Sequence, residues 1–142
     1  MRLWHKDLIP YLPKKQLLGQ WHEICCIAKN IKAKNSPNHI LVNKIMDYPY
    51  SHFNAYAIAV YKEMIKRGYK YNWDRYDKWC INKTVEDIDK IFIKWHDDRY
   101  LLQCFYNLQE KYDCGGIANY EWQNINSIVL SILNSHRYNR IY

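Results

Sequence analysis

Four long stretches of this chain repeat their apolar side chains every three or four residues, and a fifth, shorter one does the same. That period is the signature of an amphipathic helix with one face turned to a core. Between Lys14 and Asn30, Leu17, Leu18, Trp21, Ile24, Cys25 and Ala28 make one stripe. From Ser51 to Arg67, Phe53, Ala57, Val60 and Met64 make another. Ser51 can cap that helix, Lys66 and Arg67 suit its C-terminal dipole, and Gly68 ends it. Thr84-Val85-Glu86-Asp87 reads as a capping box with Asp in place of Glu, and Ile88, Ile91, Phe92 and Trp95 follow at helical spacing. A helix is also predicted over 98–112, with Leu101, Leu102, Phe105 and Leu108 inward, stopped by Gly115-Gly116. The last is predicted over 120–135, with Trp122, Ile125, Val129 and Ile132 inward. Pro10 and Pro13 bracket an extended N-terminal segment, and 30–49 reads as a long polar connection. With only 4 Gly and 4 Pro in 142 residues, a turn-rich β-sandwich is disfavoured. The expected fold class is all-α, a compact helical fold with one domain spanning 1–142.

No run approaches the roughly 18 apolar residues that span a bilayer. The first residues, Met1-Arg2-Leu3-Trp4-His5-Lys6-Asp7, lack the continuous apolar stretch of a signal peptide. A cytoplasmic protein without a membrane partner is therefore expected. The five cysteines (25, 26, 80, 104 and 114) form no C-x-x-C pair, and the six histidines show no ligand pair at helical spacing. The thiols are expected to be buried and reduced. No metal and no cofactor are expected.

The net charge of +7 is unevenly spread. Residues 1–50 hold 8 Lys/Arg against 3 Asp/Glu, an excess of five, whereas residues 101–142 hold 3 of each. Lys29, Lys32 and Lys34 concentrate the excess after the first helix, where a phosphate-tracking segment and a merely solvated one look alike. Positive charge beside 14 Tyr and 6 Trp suits an anionic partner with flat groups, nucleic acid first. Trp21 and the other helical Trp are read as core. Glu23 is the one acid of the first predicted helix, and Asp7 and Asp47 are the only others before residue 50. If this end of the chain performs chemistry, Glu23 is the leading carboxylate.

Three segments carry a resemblance. Gln16-Leu17-Leu18-Gly19-Gln20-Trp21-His22-Glu23-Ile24, Tyr61-Lys62-Glu63-Met64-Ile65-Lys66-Arg67-Gly68-Tyr69 and the Tyr-rich end Tyr138-Asn139-Arg140-Ile141-Tyr142 resemble, in order and spacing, the pyrimidine-dimer DNA glycosylase family. The opening Met-Arg-Leu-Trp-His is similar to a bacterial subgroup of it. The similarity runs over about residues 1–72 and weakly over the last few, leaving 73–135 without a counterpart.

The resemblance implies an all-α enzyme acting on damaged double-stranded DNA, expected here as a monomer. It implies a nucleophile that is the N-terminal α-amine, which displaces the damaged base from the sugar and leaves an imine that permits β-elimination. It implies that a Glu on the first helix assists both stages, which falls on Glu23. An α-amine has an ordinary pKa of about 7.7–8.0, against about 10.4 for Lys, so a useful fraction is unprotonated at neutral pH. Because the bulky Arg2 blocks removal of the initiator, Met1 is expected to supply the amine. Arg2 then stands where the family has an Arg beside it. The family's two DNA-contacting arginines on this helix are replaced by His22, which can still donate a hydrogen bond, and by Cys26, which cannot replace a guanidinium. Tyr138, Arg140 and Tyr142 are the expected DNA contacts of the tail. The catalytic pair is thus Met1 and Glu23, with Arg2, His22, Lys29, Lys32, Lys34, Tyr138, Arg140 and Tyr142 as DNA contacts. A non-catalytic nucleic-acid-binding protein on the same scaffold, or a helical interaction protein, stays open at this point.

Overall fold

The computed structural model describes the backbone of residues 1–141 and the side chains of residues 1–136. Five α-helices carry the chain: α1 (Lys14–Lys34), α2 (Tyr50–Lys66), α3 (Asp74–Asp77), α4 (Asp98–Asp113) and α5 (Asn119–Ile141). Short 3-10 turns at Lys6–Tyr11, Asn43–Asp47 and Ile88–Lys90 link them, and the described residues include no strand. The all-α expectation holds. The N-terminal segment is less extended than expected, since Pro10 sits inside its 3-10 turn.

The predicted stripes are the buried faces. Leu17, Trp21, Ile24 and Ala28 of α1 are fully enclosed, as are Phe53, Ala57, Val60 and Met64 of α2. The two helices pack together, α4 packs on α5, and the N-terminal 3-10 turn lies against α2 and α5. Helix α1 runs one turn further than predicted, to Lys34, because Asn35 takes a left-handed conformation (φ 55°) and closes it through its N–H to the Ile31 carbonyl. The expected long connection is correspondingly shorter.

The helix expected after Thr84 does not form. Asp87 caps the Asp89 N–H, yet the turn lasts only Ile88–Lys90, and Phe92 adopts φ 51°. A bulky residue there ends any α-helix. Ile91, Phe92 and Trp95 are buried all the same, as single knobs on an irregular backbone. Polar side chains of α2 hold that backbone: Asn54 donates to the carbonyls of Asn82 (2.6 Å) and Thr84 (2.8 Å), and His52 Nδ1 accepts from Phe92 N (3.2 Å).

Trp4, Trp21, Trp95 and Trp122 are buried, whereas Trp73 and Trp79 are half-buried. Burial of the thiols is confined to Cys25 and Cys104; Cys26 and Cys80 are partly open and Cys114 is exposed. No described helix is long and apolar enough to cross a membrane. Among the described residues no three His, Cys, Asp or Glu side chains are grouped to hold a metal ion.

Candidate active site

The start of the chain is fastened to α1 by one buried amide. Gln20 is 1% exposed and uses both ends of its side chain. Its Oε1 accepts from Trp4 N (2.8 Å), and its Nε2 donates to the Arg2 carbonyl (2.8 Å) and to Glu23 Oε2 (3.4 Å). The buried Tyr56 hydroxyl lies 2.6 Å from the Trp4 carbonyl and 2.8 Å from Gln20 Oε1, its one proton shared between them. Burial pushes that phenol well above its ordinary range, so it remains a neutral donor. Tyr100 adds a bond from its hydroxyl to the Leu3 carbonyl (2.5 Å). Deeper, His5 and His96 stack at 5.2 Å; His5 Nε2 donates to the His96 carbonyl (2.9 Å), and Lys6 N donates to His96 Nδ1 (3.0 Å). Leu3, Trp4 and His5 are thereby locked in the core while Met1 stays exposed.

This anchoring brings the terminus to the candidate acid. Arg2 N donates to Glu23 Oε2 at 3.3 Å. Standard bond lengths keep the α-amine within about 4 Å of the Arg2 nitrogen. Both groups open on a cleft of about 320 Å³, whose walls include Met1, Arg2, Glu23, Lys15 and Lys111. Gly19 lines it from α1, with nothing within 4 Å of the position its Cβ would take. Two carboxylate-facing amides and two lysines give the cleft the electrostatics of an anion channel with one fixed negative point. Such a point suits stabilising a cation formed on a bound substrate.

The Arg2 guanidinium sits 5.5 Å from the centre of the Trp4 ring, and Arg2 also lines a second cleft of about 130 Å³. Burial pushes the Tyr100 hydroxyl and the Cys104 thiol up, and Arg2 partly opposes this. The second cleft shares Lys44 and Trp95 with a hollow of about 700 Å³ that also holds Lys90 and Lys94. Lysines thus recur along these adjoining hollows, with Asp47 the one acid lining the two beyond the Glu23 cleft.

The remaining expected contacts fall elsewhere. His22 is exposed on the flank of α1 beside Glu23, with its Nδ1 2.6 Å from an Arg75 Nη and its Nε2 3.9 Å from Cys26 Sγ. Lys29 and Lys32 continue that flank, their ammonium groups 5.5 and 6.0 Å from the centre of the Trp79 ring. Lys32 also closes the end of α3 by donating to the Lys78 carbonyl (3.2 Å). Lys34 is exposed in the last turn of α1. Tyr138 and Arg140 fall on the last turns of α5, but their side chains, and Tyr142 altogether, lie outside what the structure describes.

Residues 1–77 match the sequence model of pyrimidine dimer DNA glycosylases. The chain belongs to that family. Comparison with curated proteins and with solved structures gives no match. A pyrimidine dimer DNA glycosylase has DNA as its substrate. The matched stretch contains Met1, Arg2, Gln20, His22, Glu23, Tyr56 and Arg75. Met1, Arg2 and Glu23 were candidates from sequence, and the structure brings the three together at one cleft; the residues that hold them there were not among those candidates. Gln20 offered one signal, a polar amide inside an otherwise apolar stripe. Tyr56 offered none, since its partners lie 36 and 52 positions away.

Proposed function

We propose that this chain, working as one domain on intracellular duplex DNA, removes a damaged pyrimidine and then cuts the strand at the resulting abasic site. The supporting observation is the placement of the chain terminus against Glu23, through the Arg2 amide, at the mouth of the cationic cleft. The unprotonated Met1 amine attacks the sugar C1′, and the base leaves with the C1′–N bond pair and takes up a proton. The amine loses a proton as the sugar ring opens, giving a protonated imine. Loss of the C2′ proton then expels the 3′ phosphate with its bonding electrons, and water hydrolyses the imine to free the enzyme. Glu23 stabilises the sugar cation and the iminium, and its carboxylate is placed to carry the C2′ proton. Arg2, Lys15 and Lys111 hold backbone phosphates around the reacting sugar.

The test is chemical trapping. The chain is incubated with duplexes bearing a pyrimidine dimer or an abasic site and reduced with borohydride. A covalent protein–DNA adduct is expected, and blocking the N-terminal amine or extending the terminus should abolish it. Glu23→Gln should still form adduct on abasic DNA while strand cleavage falls by roughly 10²–10⁴-fold. Absence of an adduct on both substrates would overturn the proposal.

A further inference from the structure

We infer that Arg75 and Lys78, with Trp79 as their scaffold, join Lys29 and Lys32 in a second DNA-backbone surface, one flank of α1 away from the cleft. This rests on the proposed DNA reading and extends it to α3 and the residues just after it, to which the sequence reading gave no role.

The position of α3 is set by aromatic packing. Trp21 in the core meets Trp73 at 5.9 Å and Tyr76 at 6.2 Å, and these two meet each other at 4.9 Å. Trp73 and Tyr76 face inward, so Arg75 between them faces out and is exposed. Its guanidinium meets His22, the residue immediately before Glu23. A guanidinium is thus present beside α1 at this point, although α1 itself carries His22 and Cys26 there. Beyond it, the ammonium groups of Lys29, Lys32 and Lys78 stand 5.5, 6.0 and 5.3 Å from the centre of one half-buried indole. Of the acids on α3, Asp77 is paired with Lys83 and Asp74 occupies the first turn.

Four cations gathered on one surface have donors and no acceptors, the complement of a row of phosphates. The spacing fits as well. Residues 22 and 29 are two helical turns apart, about 10 Å, which matches roughly three nucleotide steps of one strand. The ring of Trp79 holds the ammonium groups in place without neutralising them.

The measurement is the affinity of the full chain for a duplex containing a stable abasic-site analogue, by fluorescence anisotropy over a range of salt concentrations. Each phosphate contact removed should lower the slope of log K against log salt by about 0.9. Arg75→Gln with Lys78→Gln should therefore flatten it by nearly two, with an unchanged thermal melt. Adding His22→Arg to Arg75→Gln returns a guanidinium to the same spot and should restore about one unit. Lys62→Gln, an exposed lysine of α2, should leave the slope as it was. An unchanged slope in the double variant, or an equal loss in Lys62→Gln, would overturn the inference. Failure of the proposed chemistry looks different: the wild-type chain would bind with its steep slope yet trap no adduct.

Discussion

The two faces on either side of α1 are built from opposite materials. Around Gln20 the contacts are enclosed and closely matched: one amide, two phenols and four backbone groups, with distances of 2.5–2.8 Å for the closest. Around Trp79 they are open and loose, with cations 5–6 Å from a ring. A buried hydrogen bond left half-made costs far more than a surface charge removed. The first face can therefore fix an atom to within a fraction of an ångström, as a reacting amine requires. The second can supply affinity that salt tunes, and can shift without disturbing the chemistry.

The contrast is open to attack at several strengths. The largest effect belongs to the pair proposed to react, where Glu23→Gln should depress single-turnover strand cleavage by at least about 10²-fold. A loss of only a few-fold would remove Glu23 from the chemistry. Next comes the buried amide. Gln20→Ala strands the Trp4 N–H and the Arg2 carbonyl, so unfolding free energy should fall by about 3 kcal/mol and the melting temperature by roughly 10 °C. Cleavage should fall with it, by about 10²-fold, because the terminus is no longer held against the carboxylate. If Gln20→Ala kept full cleavage, positioning by this amide would be refuted even with the stability loss confirmed.

A pH effect follows from the same buried side. Burial lowers the pKa of His5 despite the opposing pull of Asp7, and lowers that of His96 well below the ordinary value, with His5 and Lys6 adding to the effect. Both rings are therefore neutral in the folded chain, while in the unfolded chain they take up protons below about pH 6.5. Stability from this source is complete above that pH and is lost as pH falls toward the folded values. Melting temperature should drop between pH 7 and 5, and His96→Asn, which can still accept from Lys6 N, should flatten the profile. The smallest effect on stability is on the exposed face: Arg75→Gln and Lys78→Gln should each change unfolding free energy by no more than about 0.5 kcal/mol. A large change there would mean that the surface cations are holding the fold.

Legibility in the sequence followed the range of the interactions. Helices α1, α2, α4 and α5 were readable because their buried faces repeat along the local chain, and Glu23 stood out as the single acid on one of them. The stretch from Thr84 to Trp95 has the same apolar spacing but is pinned by Asn54 and His52 of α2, partners some 30–40 residues away. Spacing reports which side chains are buried; it does not report what the backbone between them does. Gln20, Tyr56, His5 and His96 were missed for the same reason, since their meaning lies in contacts that only the tertiary structure makes. Arg75 was missed because nothing in its neighbourhood along the chain points toward His22.

Gly19 faces the cleft from a helix whose geometry any residue could adopt, and its missing side chain leaves free space rather than relieving a clash. A designer who scanned this protein for thermal improvement would choose this position early, since alanine in a helix is favoured over glycine by about 1 kcal/mol. The added methyl would project into the room that the proposed reaction gives to the sugar. Selection for heat tolerance and selection for repair should therefore pull residue 19 in opposite directions.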